Sequence, residues 1–134
     1  MIKAEDLRIG DLVRYGVNVI TLASVHANGS VCFADGKDQM YAEDVLLEPI
    51  LLTTEILEKN GFEVKYPGEC YAKTIGPQKK YTSRYISIEN MHTEWKIFLK
   101  YTSLIDHVLL RSVNYVHDLQ HILWALGEDA NLTI

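Results

Sequence analysis

The chain has 134 residues, 48% of them apolar and 23% charged, with a formal net charge of −5 at pH 7. That length and balance suit one domain or two very small ones, and they exclude a disordered chain or a fold that needs a metal or disulfide staple. Charge is uneven: residues 1–52 carry −4, residues 53–112 carry +2 and residues 113–134 carry −3, which excludes the overall basic surplus of a duplex-DNA binder but leaves room for a local one.

In chain order, "EDLRIGDLVRY" opens with a turn at Gly10-Asp11 that feeds a strand from Leu12 to Tyr15. Residues 17–26 are β-branched and apolar, and Asn28-Gly29 then separates them from "SVCFAD". An Asn-Gly pair between two such runs predicts a two-residue hairpin turn with both central residues at positive φ. Asp35-Gly36 marks another turn, and "QMYAEDVLLEPI" reads as a short strand, a helical turn at Ala42–Val45 and a last strand. Pro49 belongs at a strand end, because it has no N–H for a ladder. Five short strands with tight turns predict a small SH3-like β-barrel over residues 1–51.

"LTTEILEKNGF" predicts a short helix, with Thr53 as N-cap, Glu55 in the first turn and Gly61 in a left-handed C-terminal position. Strands return with Phe62, Val64 and Tyr66, with Cys70–Thr74, with Tyr81–Glu89 and with Glu94–Tyr101. In the last of these Trp95, Ile97, Leu99 and Tyr101 share one face, the period of a half-buried antiparallel strand. Residues 104–113 fit a strand or a helix equally. A final helix is predicted after Asn114 as N-cap, ending at Leu126 before Gly127. The fold class is therefore α+β: the barrel, then over 52–134 a short helix and an antiparallel sheet covered by the C-terminal helix, all packed as one compact unit. Trp95, Ile97, Leu99, Val116, Leu119, Ile122, Leu123 and Leu126 are expected to share one core.

Four groups of residues could carry chemistry. His117 and His121 lie one helical turn apart, a spacing that can place two imidazoles over one ion. Zinc wants about four ligands, and the sequence supplies neither the glutamate of an HExxH motif nor a nearby cysteine. Helix packing is the expected role of that segment, with both imidazoles flanking the apolar stripe or facing solvent; a metal-dependent hydrolase using the pair is the lesser alternative. The segment 73–85, with Lys73, Lys79, Lys80, Tyr81, Arg84 and Tyr85, mixes cations and aromatics as a single-strand nucleic-acid binder does, though a hairpin with a soluble loop reads the same way. Asp35, Asp38, Glu43, Asp44 and Glu48 do not follow calcium-loop register and are expected to form a solvated face. Cys32 and Cys70, the only cysteines, lie in apolar strand-like segments and are expected to act as small hydrophobes in a reducing compartment. No h-region follows Met1, and no apolar run nears the ~20 residues of a membrane span. A cytoplasmic location is expected.

Arg8–Val13, Pro49–Phe62 and Tyr115–Gly127 together resemble a family of small uncharacterised proteins of Bacteroidetes genomes, phages and prophages. That family shares an RIGN/D-x-V opening, an LT-x-E-x-L-x-x-NGF helix and a YVHQLQ-like closing helix. The resemblance implies no activity, cofactor or catalytic residue. At the position matching His121 the family typically has asparagine, which argues against a ligand pair. The expectation is a non-enzymatic module that binds another protein, a second copy of the chain included, with no cofactor, metal or membrane. Nucleic-acid binding through Lys79, Lys80, Tyr81, Arg84 and Tyr85 is the alternative.

Overall fold

Alternating apolar residues from Leu12 onward build a meander of short strands. The computed structural model describes residues 2–35, 38–76, 83–102 and 107–134. They divide into two units, Met1–Leu51 with Tyr115–Ile122 and Leu52–Asn114 with Leu123–Ile134. In the first, a 3-10 turn (Ala4–Asp6) precedes β1 (Leu12–Tyr15), β2 (Asn18–Val25), β3 (Ser30–Asp35) and β4 (Asp38–Glu43). A second 3-10 turn (Asp44–Leu46) leads into β5 (Leu47–Glu48). The order is β4-β3-β2-β1-β5, with every pair antiparallel. Inward residues Val13, Ile20, Leu22, Val31, Phe33 and Leu47 cluster with Ile2 and Leu7. The expected barrel is not closed: among the described residues no pairing joins β4 to β5, and the sheet stays open.

The turn after β2 also differs from the expectation. Only Gly29 takes a positive φ, +91°, and Asn28 does not. Gly29 N–H donates to His26 O (3.1 Å) and His26 N–H to Ser30 O (2.9 Å), the pattern of a turn closed by a left-handed glycine and a bulge. Asn28 works through its side chain instead, its Oδ1 accepting from the Ser30 N–H at 3.0 Å. The turn expected at Asp35-Gly36 falls partly on residues outside those described.

The second unit opens with α1 (Thr54–Lys59). Thr53 Oγ1 accepts from the Ile56 N–H at 3.3 Å, as expected of an N-cap. Phe62 N–H returns to Leu57 O (3.1 Å) and Gly61 N–H to Glu58 O (3.2 Å), which closes the helix in a Schellman motif. Five antiparallel strands follow: β6 (Glu63–Tyr66), β7 (Cys70–Ile75), β8 (Arg84–Asn90), β9 (Trp95–Tyr101) and β10 (His107–Val113), in sequence order across the sheet. Residues 107–113 are thus strand, which resolves seven of the ten ambiguous positions; 104–106 lie outside the described residues. Tyr71, Ile88 and Ile97 form one buried rung of the ladder.

The C-terminal helix, α2 (Val116–Ala125), does not begin as predicted. Asn114 is no cap: with its amide suitably turned, Nδ2 donates to Thr93 O and Val113 O. The first helical N–H, on Val116, donates instead to Ile50 O at 2.8 Å. The end is as predicted, with Gly127 at φ +75° and the Glu128 N–H bonded to Leu123 O at 2.9 Å. The residues expected to share one core divide between the units: Val116, Leu119 and Ile122 belong to the first, while Trp95, Ile97, Leu99, Leu123 and Leu126 belong to the second. Leu99 and Leu126 are only half-buried. No described helix is long and apolar enough to cross a membrane.

Candidate functional site

The first unit encloses a polar cluster that begins with a glycine. Gly10, at φ +93°, turns the chain just before β1. Its N–H donates to Leu22 O at 2.8 Å, and Leu22 N–H donates to Asp11 O at 3.0 Å. This fixes Asp11 with its side chain inward, and the residue is 2% exposed. Oδ2 accepts from the Arg8 N–H at 2.8 Å. The His121 Nε2 lies 2.9 Å from Oδ1 and 2.8 Å from Oδ2. Beside it, Gln120 Oε1 accepts from the Leu12 N–H at 2.8 Å, and its Nε2 donates to Gly10 O at 3.0 Å. Two adjacent helix residues therefore bind three adjacent residues where the loop enters β1. Burial demands this arrangement, because a lone buried carboxylate or amide forfeits its hydration without return.

Chemically, the contact directs a protonated Nε2 at the carboxylate and leaves Nδ1 as the other ring nitrogen. A carboxylate-oriented imidazole is one half of many acid–base sites, and such a pair also orients metal ligands. The second ring does not complete either. His117, expected at the helix flank or in solvent, is 5% exposed. It stacks on Tyr115 with centroids 5.8 Å apart and planes at 4°. It meets the His121 ring edge-on at 5.8 Å, and its Nε2 is 3.8 Å from Asp118 Oδ1. The two imidazoles do share a helix face, but His121 addresses a carboxylate. Among the described residues no three His, Cys, Asp or Glu side chains are grouped to hold a metal.

Asp11 and Gln120 escaped the sequence reading, though one signal was present. Val116, Leu119 and Leu123 define helical positions i, i+3 and i+7, and Gln120 occupies the i+4 slot of the same stripe. A polar residue in that slot must find partners inside. Asp44 is a second case. It was expected on a solvated acidic face, yet its Oδ2 accepts from the Ala4 N–H at 2.8 Å and ties the N-terminal turn to the one before β5.

The second unit carries an open groove of ≈ 840 Å³ on the other face of its sheet. Small residues Cys70, Ala72 and Ser87 form the floor; Ser87 is 1% exposed. Cys70, expected to be buried, is only half so, with Sγ 3.6 Å from Ser87 Oγ. A bulge between Val64 and Tyr66 brings Lys65 and Tyr66 to one rim. Thr74, Tyr85 and Lys100 form a rung at one end. Carboxylates accompany two of its ammonium groups: Lys65 Nζ lies 3.1 Å from Glu63 and Lys100 Nζ 3.6 Å from Glu89.

Of the predicted basic-aromatic set, Tyr85 lines this groove. Arg84 points to the opposite face by strand alternation, where its Nη2 lies 3.1 Å from the position a Cβ would take on Gly76. Lys73 also lines the groove, with its Nζ donating to Asn60 O at 3.0 Å. Lys79, Lys80 and Tyr81 lie outside the described residues. In comparisons with known proteins, no protein-family model, curated protein or solved structure matches the chain.

Proposed function

We propose that the chain is a non-enzymatic binding module that recognises another protein. One observation carries this reading: the first unit leaves large apolar side chains exposed at its loops and turns. Ile9 lies before β1, Val17 at the β1–β2 turn, Val45 and Leu46 on the 3-10 turn before β5, and all four are exposed. Apolar groups at such places stabilise nothing until a partner removes them from water. The strand order β4-β3-β2-β1-β5, with a 3-10 turn before the last strand, supports an SH3-like plan for residues 1–51. Plans of that kind present their loops to ligands, an analogy of architecture. Cys32 and Cys70, not joined in a disulfide, suit a cytoplasmic setting, and the family resemblance supports a phage or prophage origin. The test is affinity capture on the full chain from the native host, with and without nuclease. A stoichiometric protein retained after nuclease is expected; no retained protein contradicts the reading.

The groove favours a second reading, single-stranded nucleic acid held by Tyr85, Lys65 and Lys100. It ranks below the first because Glu63 and Glu89 offset both cations. It predicts salt-sensitive binding of single strands that Lys79→Glu/Lys80→Glu and Tyr85→Ala each weaken; salt-independent binding, or none, removes it.

A further inference from the structure

The strands that end the two sheets are not protected alike. A strand at a sheet edge presents a row of open N–H and C=O groups, which proteins usually blunt with shortness, proline, lysine or a bulge. β5 has two residues and is followed by Pro49. β6 has four residues, a register shift and Lys65. β10 has a register shift between Leu109 and Arg111. β4 has no bulge, and its only charges are the acids at its two ends, Asp38 and Glu43. It pairs with β3 through six consecutive residues, from Ser30↔Glu43 to Asp35↔Asp38, without a shift. It contains no lysine, arginine or proline. At its centre Met40 is 41% and Tyr41 66% exposed.

We infer that β4 is a docking edge where an extended segment of a partner protein, apolar in the middle and basic at both ends, adds as a further strand. The inference rests on the protein-recognition reading and names the partner's chemistry. The sequence of β4 is its template: Asp38 and Glu43 flank Met40 and Tyr41, so an added strand gains main-chain bonds along its length and side-chain pairs at each position. Lysine or arginine opposite Asp38 and Glu43 forms favourable cross-strand pairs. The −4 charge of residues 1–52 also steers a basic segment toward this unit. A second copy of the chain is the wrong occupant. Its β4 brings acidic residues at both ends and no lysine or arginine to face Asp38 and Glu43.

The test uses the full-length chain and three synthetic peptides: a valine- and threonine-rich segment with lysine at both ends, the same segment with glutamate at both ends, and a scrambled lysine peptide. Amide hydrogen exchange and fluorescence anisotropy are read together. The lysine-ended peptide is expected to slow exchange in β4 and to bind at least about tenfold more tightly than the glutamate-ended one. Tyr41→Lys, a change at an exposed position, is expected to weaken that binding at least about tenfold while leaving the melting temperature unchanged. Asp38→Lys/Glu43→Lys is expected to reverse the peptide preference. Unprotected β4 amides overturn the inference, as does binding indifferent to Tyr41→Lys or to charge reversal. Concentration-dependent self-association that Tyr41→Lys abolishes overturns it in favour of a second copy. A host protein captured equally by the Tyr41→Lys chain sinks the docking edge while sparing the protein-recognition reading; capture of no protein by either chain sinks that reading.

Discussion

The two sheets have the same number of strands and opposite uses for their polar residues. In the first unit Asp11 and Gln120 are buried and bound to backbone and helix, while Ile9, Val17, Val45 and Leu46 stand exposed at its turns and Met40 and Tyr41 at its edge. In the second unit Ser87, Tyr85, Lys65 and Lys100 line an open groove, and the edge strands carry bulges. A contact between a carboxylate and a side-chain nitrogen therefore means different things in the two places. The Asp11–His121 contact is shielded from water and holds a helix to a loop, whereas Lys100–Glu89 stands at a partly exposed surface where solvent screens it.

Substitutions sharpen that contrast. Asp11→Ala leaves His121 and the Arg8 N–H without their acceptor, and a loss of about 3–5 kcal/mol is expected from chemical denaturation. A loss below about 1 kcal/mol would place the carboxylate outside the framework of the fold. Leu119→Ala truncates a fully buried side chain of α2 and is expected to cost about 2–5 kcal/mol; an unchanged midpoint would mean the helix does not pack there. Lys100→Gln, at the groove, is expected to change stability by no more than about 0.5 kcal/mol. A loss comparable to that of Asp11→Ala would erase the distinction between the sheets.

The smallest effect is one of pH. Glu55, exposed in the first turn of α1, is held below the usual carboxylate range, first by its backbone hydrogen bond and then by the Thr53 hydroxyl. Folding thus favours its ionised form. That contribution is present above the ordinary carboxylate value and fades as the pH falls through the lowered one. Glu55→Gln should lower the melting temperature slightly at neutral pH, and the difference from the parent should shrink as the pH falls through the lowered value. Equal melting temperatures at every pH would contradict the cap geometry.

Much of the fold was legible because its signals are local. Thr53 and Gly61 marked α1, Gly127 ended α2, and alternation in Trp95–Tyr101 gave a half-buried strand. What stayed hidden depends on residues far apart in sequence. The start of α2 is satisfied by Ile50, so Asn114 had nothing to cap. The Asn28-Gly29 turn took a form that needs positive φ at glycine alone. Barrel closure depends on whether the strands at the two ends of the sheet, here β4 and β5, meet, which no local pattern encodes. The histidines showed their spacing but not their use, because the partner of His121 lies 110 positions away.

The central claim is that this imidazole and its carboxylate act as one structural element. A double-mutant cycle on folding stability, with Asp11→Ala, His121→Ala and the double variant at neutral pH, tests it most directly. A coupling of about 1–3 kcal/mol is expected. Additive losses, with coupling inside about 0.3 kcal/mol of zero, would show that the two side chains are neighbours without being partners.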